Sequence, residues 1–265
     1  MTGGWLVSWP EFWRQDVRVT LLCVPPAGAG ANQFRSWQEA LGPQVGVVAV
    51  QLPGREGRWR HPKAESMEEV YDAVVPDVWR LAAQRPLVIF GHCFGAIIGY
   101  EVARRLEHDS SPEAVVVSAC RSPDLWVGGE LFGGDDELVG LLAARGLDVD
   151  DVDEDSQEML LRTLRADIEL CTSYRHEAGV TLSSPLHVWG GSDDSIVPRA
   201  QMDGWNRFTS GHSRQRDFSG GHYFINDDQV TALTELRRVL DAATGAAAGG
   251  QEQSWTQPEH RDVSC

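Results

Sequence analysis

The chain of 265 residues is poor in bases: 23 Lys and Arg stand against 39 Asp and Glu, a net charge of −16. Bulk attraction to a nucleic-acid backbone or an acidic membrane surface is therefore excluded, because like charges would repel. No stretch approaches the ~18 apolar residues of a membrane span. Met1 to Trp13 has no basic residue and no continuous apolar core, so it does not read as a signal peptide, and a cytoplasmic location is expected. Cysteine is sparse and odd in number: Cys23, Cys93, Cys120, Cys171 and Cys265 include no C-x-x-C pair. That pattern predicts reduced thiols rather than a disulfide frame. Zinc spacings such as H-E-x-x-H are absent, as are internal repeats. Lysine is reduced to Lys63 beside many arginines, a coding bias from which no function follows. What is present is apolar content, 42% of residues, enough to bury a real core at a length that suits one α/β domain.

Val17 to Val24, Val45 to Val50, Leu87 to Phe90 and Ala114 to Ala119 are short runs, mostly apolar on both faces, as strands inside a covered parallel sheet must be. Helical spacing separates them. Phe34, Trp37 and Leu41 lead to the stop at Gly42-Pro43. Ser66 with Glu69 forms a capping box ahead of Met67, Val70, Val74, Val78 and Leu81, with Pro76 expected to kink that helix. Ala96 to Leu106 is the next helix. This alternation predicts a doubly wound, mostly parallel sheet. Between Arg121 and Gly179 the rhythm breaks into helices without strands. A short one is capped by Asp135 and closed by Gly146, and a second carries Leu160, Leu161, Leu164, Ile168 and Cys171. The acidic run Asp148 to Glu158 between them reads as a solvated linker. The sheet resumes at Leu186 to Trp189 and Arg214 to Phe218, and a last helix covers about Gln229 to Leu240. One domain over residues 1–241 is expected, with a disordered tail over 242–265.

The strongest chemical signal is Gly91-His92-Cys93-Phe94-Gly95 between a strand and a helix, a G-x-S-x-G elbow with cysteine in the serine position. Two glycines allow the sharp turn that leaves the nucleophile at the tip of the sheet, and the helix N-terminus beneath favours a thiolate and an oxyanion. A plainer reading of the pentapeptide is a structural cysteine in a tight turn. An elbow, however, requires an acid and then a histidine after later strands. Asp194 follows the strand ending at Trp189, and His222 follows the strand ending at Phe218. His222 is then the base for Cys93, and Asp194 holds its tautomer. Asp194 stands at the usual distance before Val197-Pro198; Asp193 is the weaker candidate for the acid and otherwise a turn former. His61, His108, His187 and His212 lack this loop context. Two N–H groups should form the oxyanion hole, that of Phe94 and one from the loop Pro25-Pro26-Ala27-Gly28-Ala29-Gly30, where Ala27 is the first residue with an N–H. The same loop fails the dinucleotide fingerprint, because Gln33 replaces the third glycine and no acid ends the next strand; no cofactor is expected.

These segments, with Gln51-Leu52-Pro53-Gly54-Arg55 and Arg58, Leu164-Arg165-Ala166-Asp167 with Tyr174, and Gly220-Gly221-His222-Tyr223-Phe224, resemble the type II thioesterases of polyketide and nonribosomal peptide synthases. The resemblance runs from about Val17 to Leu240. It implies an α/β-hydrolase fold, helices on both faces of the sheet, and a helical lid over residues 121–179. It also implies an acyl or aminoacyl substrate on the phosphopantetheine arm of an acyl or peptidyl carrier protein, Cys93, His222 and Asp194 as the catalytic set, and Ala27 and Phe94 as the oxyanion pair. Two features depart from the family. Pro26 stands where a histidine is usual, and cysteine replaces serine.

A thiol of reference pKa ~8.5 is lowered by a helix N-terminus and an imidazole. Its acyl-enzyme is itself a thioester, so the group can pass to water, to another carrier thiol or to an amine. Hydrolysis and transfer both stay open, beside a non-catalytic carrier-binding module, which the intact Cys93, Asp194, His222 order disfavours. Arg55, Arg58, Arg60, His61 and Lys63 form the one dense basic stretch. It reads either as a dock for an acidic carrier and its phosphate, with Arg55, Arg58 and Arg60 in contact, or as a solvated loop anchored by Arg55. Trp126 and Trp189 are candidates for the chamber wall, and a monomer is expected.

Overall fold

The computed structural model describes residues 4–126, 135–147, 153–179 and 181–245. Seven strands form one sheet: β1 (Leu6–Ser8), β2 (Val19–Val24), β3 (Val45–Val50), β4 (Leu87–His92), β5 (Ala114–Ser118), β6 (Leu186–Gly191) and β7 (Ser213–Phe218). Their order is β1-β3-β2-β4-β5-β6-β7, all parallel except β1, which runs antiparallel to β3. Strands β2 to β5 are buried at every position, the consequence of β-branched side chains on both faces.

The period of two sorts those side chains into two cores. Leu22, Val24, Val48, Val50 and Ile89 face α2 (Met67–Ala82) and α3 (Phe94–Leu106). Leu21, Cys23, Val47 and Phe90 face α1 (Arg35–Ala40) and α8 (Gln229–Ala243) on the opposite side. The chain steps from β2 outward to β3, then returns to place β4 on the other flank of β2. That reversal opens a crevice beyond the carboxyl ends of β2 and β4, where Val24 pairs with Gly91. Over it lie α4 (Asp135–Ala144) and α5 (Glu154–Ser173), whose Leu138, Leu142 and Leu164 form a small cluster that also contacts Ala27. The remaining helices, α6 (Arg199–Met202) and α7 (Phe224–Asp227), are single turns that follow β6 and β7.

Most expected elements appear within two residues of their expected ends, and the exceptions have local causes. Strand β1 was not anticipated, since three residues are too short for a period to register. Helix α3 begins at Phe94, two residues ahead of its predicted start, because Cys93 itself turns the chain. The capping box is half realised: Ser66 Oγ accepts from the Glu69 N–H at 3.2 Å, while Glu69 accepts from the N–H of Glu65 instead of Ser66. Helix α2 continues through Pro76. The acidic run is not all linker. Asp153 caps α5 by accepting from the Ser156 N–H at 3.0 Å, and Glu154 and Asp155 occupy the first turn, where the helix dipole favours acids. Residues 148–152 lie outside the described residues. Asp135 is already helical rather than a cap preceding the helix. Helix α8 runs to Ala243, two residues past the expected domain boundary, and residues 246–265 of the expected tail, Cys265 among them, lie outside the described residues.

Gly91 and Gly95 pack backbone on backbone. A Cβ on Gly91 would lie 2.3 Å from Gly95 O, and one on Gly95 would lie 2.3 Å from Val24 O. Neither acceptor is a side chain that can swing aside. Gly95→Ala is expected to cost about 3 kcal/mol in urea unfolding, at the upper end of overpacking losses. A change under about 0.5 kcal/mol would mean that the two backbones are not in contact.

Candidate active site

Strand β4 ends in Gly91-His92, and α3 starts at Phe94, so a single residue makes the turn. Cys93 adopts φ 54°, ψ −122°, a left-handed conformation that costs a non-glycine residue about 1–3 kcal/mol. The surrounding bonds hold it there. Its N–H donates to Ser118 O at 2.8 Å, and its carbonyl accepts from the Ala96 N–H at 3.0 Å. The Phe94 N–H lies in the first turn of α3, where a helix has no acceptor for it, and no acceptor pairs the Ala27 N–H among the described residues. Cys23, Cys120 and Cys171 are buried, and burial pushes all three thiols well up; the charge of Cys93 adds to this for Cys120 and Cys171. Cys93 alone of the described cysteines is partly exposed.

Strand β6 ends at Gly191, and Asp194 accepts from the N–H groups of Ile196 and Val197, both at 2.9 Å, through Oδ1. That tight turn aims Oδ2 at His222 Nδ1, 2.8 Å away, with both side chains almost fully buried. A carboxylate only accepts, so Nδ1 carries the proton and Nε2 is left to face outward. Nε2 is buried without a hydrogen-bond partner among the described residues. Asp193 is exposed, its side chain accepts only from the neighbouring Ser192 Oγ, and its N–H donates to Gly220 O at 2.9 Å, in keeping with a turn former. Burial disfavours the imidazolium, but the negative sulfur of Cys93 and the Asp194 carboxylate overcome that cost and push His222 up to about 10.

His92, a histidine the motif analysis passed over, packs its ring 5.4 Å from both His222 and Tyr223 and bonds Ser118 Oγ at 3.0 Å. Full burial, reinforced by the charges of His222 and Arg145, holds it well below its usual value, so it is a neutral wall rather than a second base. Its place inside the elbow was the available signal.

The small cavity above Cys93 is walled by the sheet loops and by the lid. Ala27, Phe94 and Tyr223 line it from below, and Leu141, Leu164 and Ile168 from above. Trp126 lines it as expected; Trp189 does not, because β6 turns it into the opposite core beside Phe90 and Phe218. The lid is pinned by Arg55, whose two Nη groups donate to Asp167 of α5 at 2.5 Å each and whose Nη1 also donates to Ala29 O at 3.0 Å. Asp167 in turn accepts from the Gly28 N–H at 2.7 Å.

Arg55 is therefore an internal anchor, not a docking cation, since its guanidinium is 8% exposed and fully paired. Arg58 is corrected in the same way: it is buried, stacked 4.2 Å from Trp5, and donates to Gln51 O at 3.0 Å. Arg60 remains exposed, stacked on Trp59. It lines a groove with His61, Lys63, Arg162 and Arg165, the last two from α5. Those two lie a hundred residues from Arg60, so the sequence did not join them.

The raised His222 gives a signed expectation. Its charged form contributes stability fully below the ordinary histidine value of ~6.5, and that contribution is lost as pH rises through about 10. In a histidine NMR titration, His222 should keep its second proton past pH 8 in the wild type and lose it at clearly lower pH in Cys93→Ala. The same midpoint in both proteins would refute the pairing.

The chain matches the thioesterase domain model over residues 19–239. It is 34% identical over 234 residues to thioesterase PikA5 of Streptomyces venezuelae, covering 86% of this chain and 83% of that one. Among solved structures, the type II thioesterase BorB of the borrelidin biosynthetic cluster superposes with a TM-score of 0.79 at 30% identity, covering 91% of this chain and 99% of BorB. The RedJ thioesterase of the prodiginine pathway in Streptomyces coelicolor superposes with a TM-score of 0.76 at 31% identity, covering 84% and 86%. Sheet order, lid, elbow and these likenesses agree, and the chain belongs to the thioesterase family, with the α/β-hydrolase fold and the resemblance to type II members that its sequence implied.

Proposed function

We propose that this thioesterase hydrolyses acyl thioesters borne on the phosphopantetheine arm of a carrier protein in polyketide or nonribosomal peptide assembly, with Cys93 as nucleophile. The observation that supports this most is the Asp194–His222 pair at 2.8 Å, delivered from the ends of β6 and β7 to a strained cysteine at the end of β4. His222 takes the Cys93 proton, and the sulfur attacks the thioester carbonyl. The oxyanion forms against the Ala27 and Phe94 N–H groups. Collapse breaks the bond to the pantetheine sulfur, which leaves with the proton from His222. The acyl group is then on Cys93 as a thioester, at little change in free energy, since one thioester has been exchanged for another. Water, deprotonated by His222, attacks that carbonyl and releases the free acid. These steps call on no metal or organic cofactor.

An apolar chamber suits an acyl chain, and the names of BorB and RedJ tie those relatives to the borrelidin cluster and the prodiginine pathway. Arg60, His61, Lys63 and Arg162 offer an acidic carrier a basic groove on a chain of net charge −16, although Lys63 is also paired with Glu169. The groove lies beside Arg55, which also holds the oxyanion loop.

A labelled acyl-carrier, incubated with and without a second, empty carrier, separates hydrolysis from transfer. Free acid in both tubes is the expected result; label moving to the second carrier with little acid would make the enzyme an acyltransferase. Cys93→Ala should lower acid release by about 10³-fold or more and abolish an acyl adduct seen by intact mass. An adduct that persists in Cys93→Ala would remove Cys93 from the reaction.

A further inference from the structure

Arg145, the residue just past α4, lies in a position that packing alone does not explain. Its Nη1 donates to the carbonyl of Ala27 at 3.3 Å, against the same peptide chain whose N–H is the candidate oxyanion donor. The same Nη1 would lie 3.4 Å from a Cβ at Gly28, and the guanidinium sits 6.0 Å from the Tyr223 ring, over the face of the residue that follows His222. No carboxylate lies within salt-bridge reach of it among the described residues; the nearest lid acid, Asp167, is held by Arg55. A partly buried guanidinium left unpaired is costly, and the cost falls when an anion forms beside it. Two anions form at this site during the reaction: the Cys93 thiolate and the tetrahedral oxyanion.

We propose that Arg145 is a positioning residue that couples the lid to the nucleophile: by clamping Ala27 and holding positive charge over the elbow, it favours the ionised Cys93 sulfur and the oxyanion. The proposal rests on Cys93 being the nucleophile. A serine nucleophile stays neutral until it attacks, whereas a cysteine gains from a cation already in place. The electrostatics agree in direction. Burial pulls Arg145 down, while the negative charge of Cys93 pulls it up, and Arg145 helps hold His92 neutral. The other groups around Cys93 are His92 from β4, Cys120 and Arg121 after β5, Asp194 after β6, His222 and Tyr223 after β7, and Cys171 on α5. His92 and Tyr223 also feel the guanidinium charge, so the Cys93 midpoint is read beside Arg145→Lys, which keeps that charge.

The test is the pH dependence of iodoacetamide alkylation at Cys93, read by peptide mass, in the wild type, Arg145→Lys and Arg145→Gln. Circular dichroism checks that each variant folds. Arg145→Gln should raise the midpoint by about one pH unit, a ~10-fold slower alkylation below it. Arg145→Lys, which keeps the charge, should move the midpoint by less than half as much, and kcat should fall in the same order. Normal labelling with an unmoved midpoint in both folded variants, whatever the change in melting temperature, would reduce Arg145 to a lid anchor and overturn the proposal. Absence of labelling at Cys93 in the wild type would overturn the nucleophile reading and this one with it.

Discussion

The site depends on two backbones in direct contact. Gly95, in the first turn of α3, lies so close to the carbonyls of Val24 and Pro25 that a single methyl group would not fit between them. That contact sets the helix under the loop that follows β2. The Phe94 N–H and the Ala27 N–H therefore converge from two segments nearly seventy residues apart in the chain. Without it, the elbow could still turn, but Ala27 would not be held beside it. The strain of Cys93 is supported by the same packing, since the bonds to Ser118 and from Ala96 close the turn from both sides.

A second layer of control reaches the site from the lid. Asp167 accepts from Arg55 and from the Gly28 N–H at once, so one carboxylate ties α5, the loop after β3 and the oxyanion loop into a single unit. Buried, doubly bonded pairs of this kind owe their value to geometry more than to net stability, because desolvation cancels much of the attraction. Here the geometry is that of the loop which must meet the oxyanion. Arg145 reaches the same loop from the other lid helix. An acidic protein thus concentrates guanidinium groups around the loop that follows β2.

A cysteine at the elbow changes what its surroundings must do. His222 is pushed up by the sulfur of Cys93, and Asp194 is held by two backbone N–H groups, so the imidazole is already oriented. His92 stays neutral beside it, since a second charge so close would oppose the first. The three other described thiols are kept protonated by burial, and two of them line the chamber.

Read alone, the sequence determined the sheet, the elbow, the pairing of Asp194 with His222, and the presence of a helical insertion. These are carried by short-range patterns: β-branched runs, two flanking glycines, and loops at set places after strands. It did not determine which face a side chain would take or which distant group it would meet. Trp189 points away from the chamber because β6 has a period of two and the other face was already committed. Arg55 and Arg58 look like surface charge in a basic run, yet the first meets Asp167 more than a hundred residues later and the second lies over Trp5. Such pairings follow from chain reversal at the β2–β4 crevice, which brings together residues that no local spacing connects, and only the tertiary structure decides them.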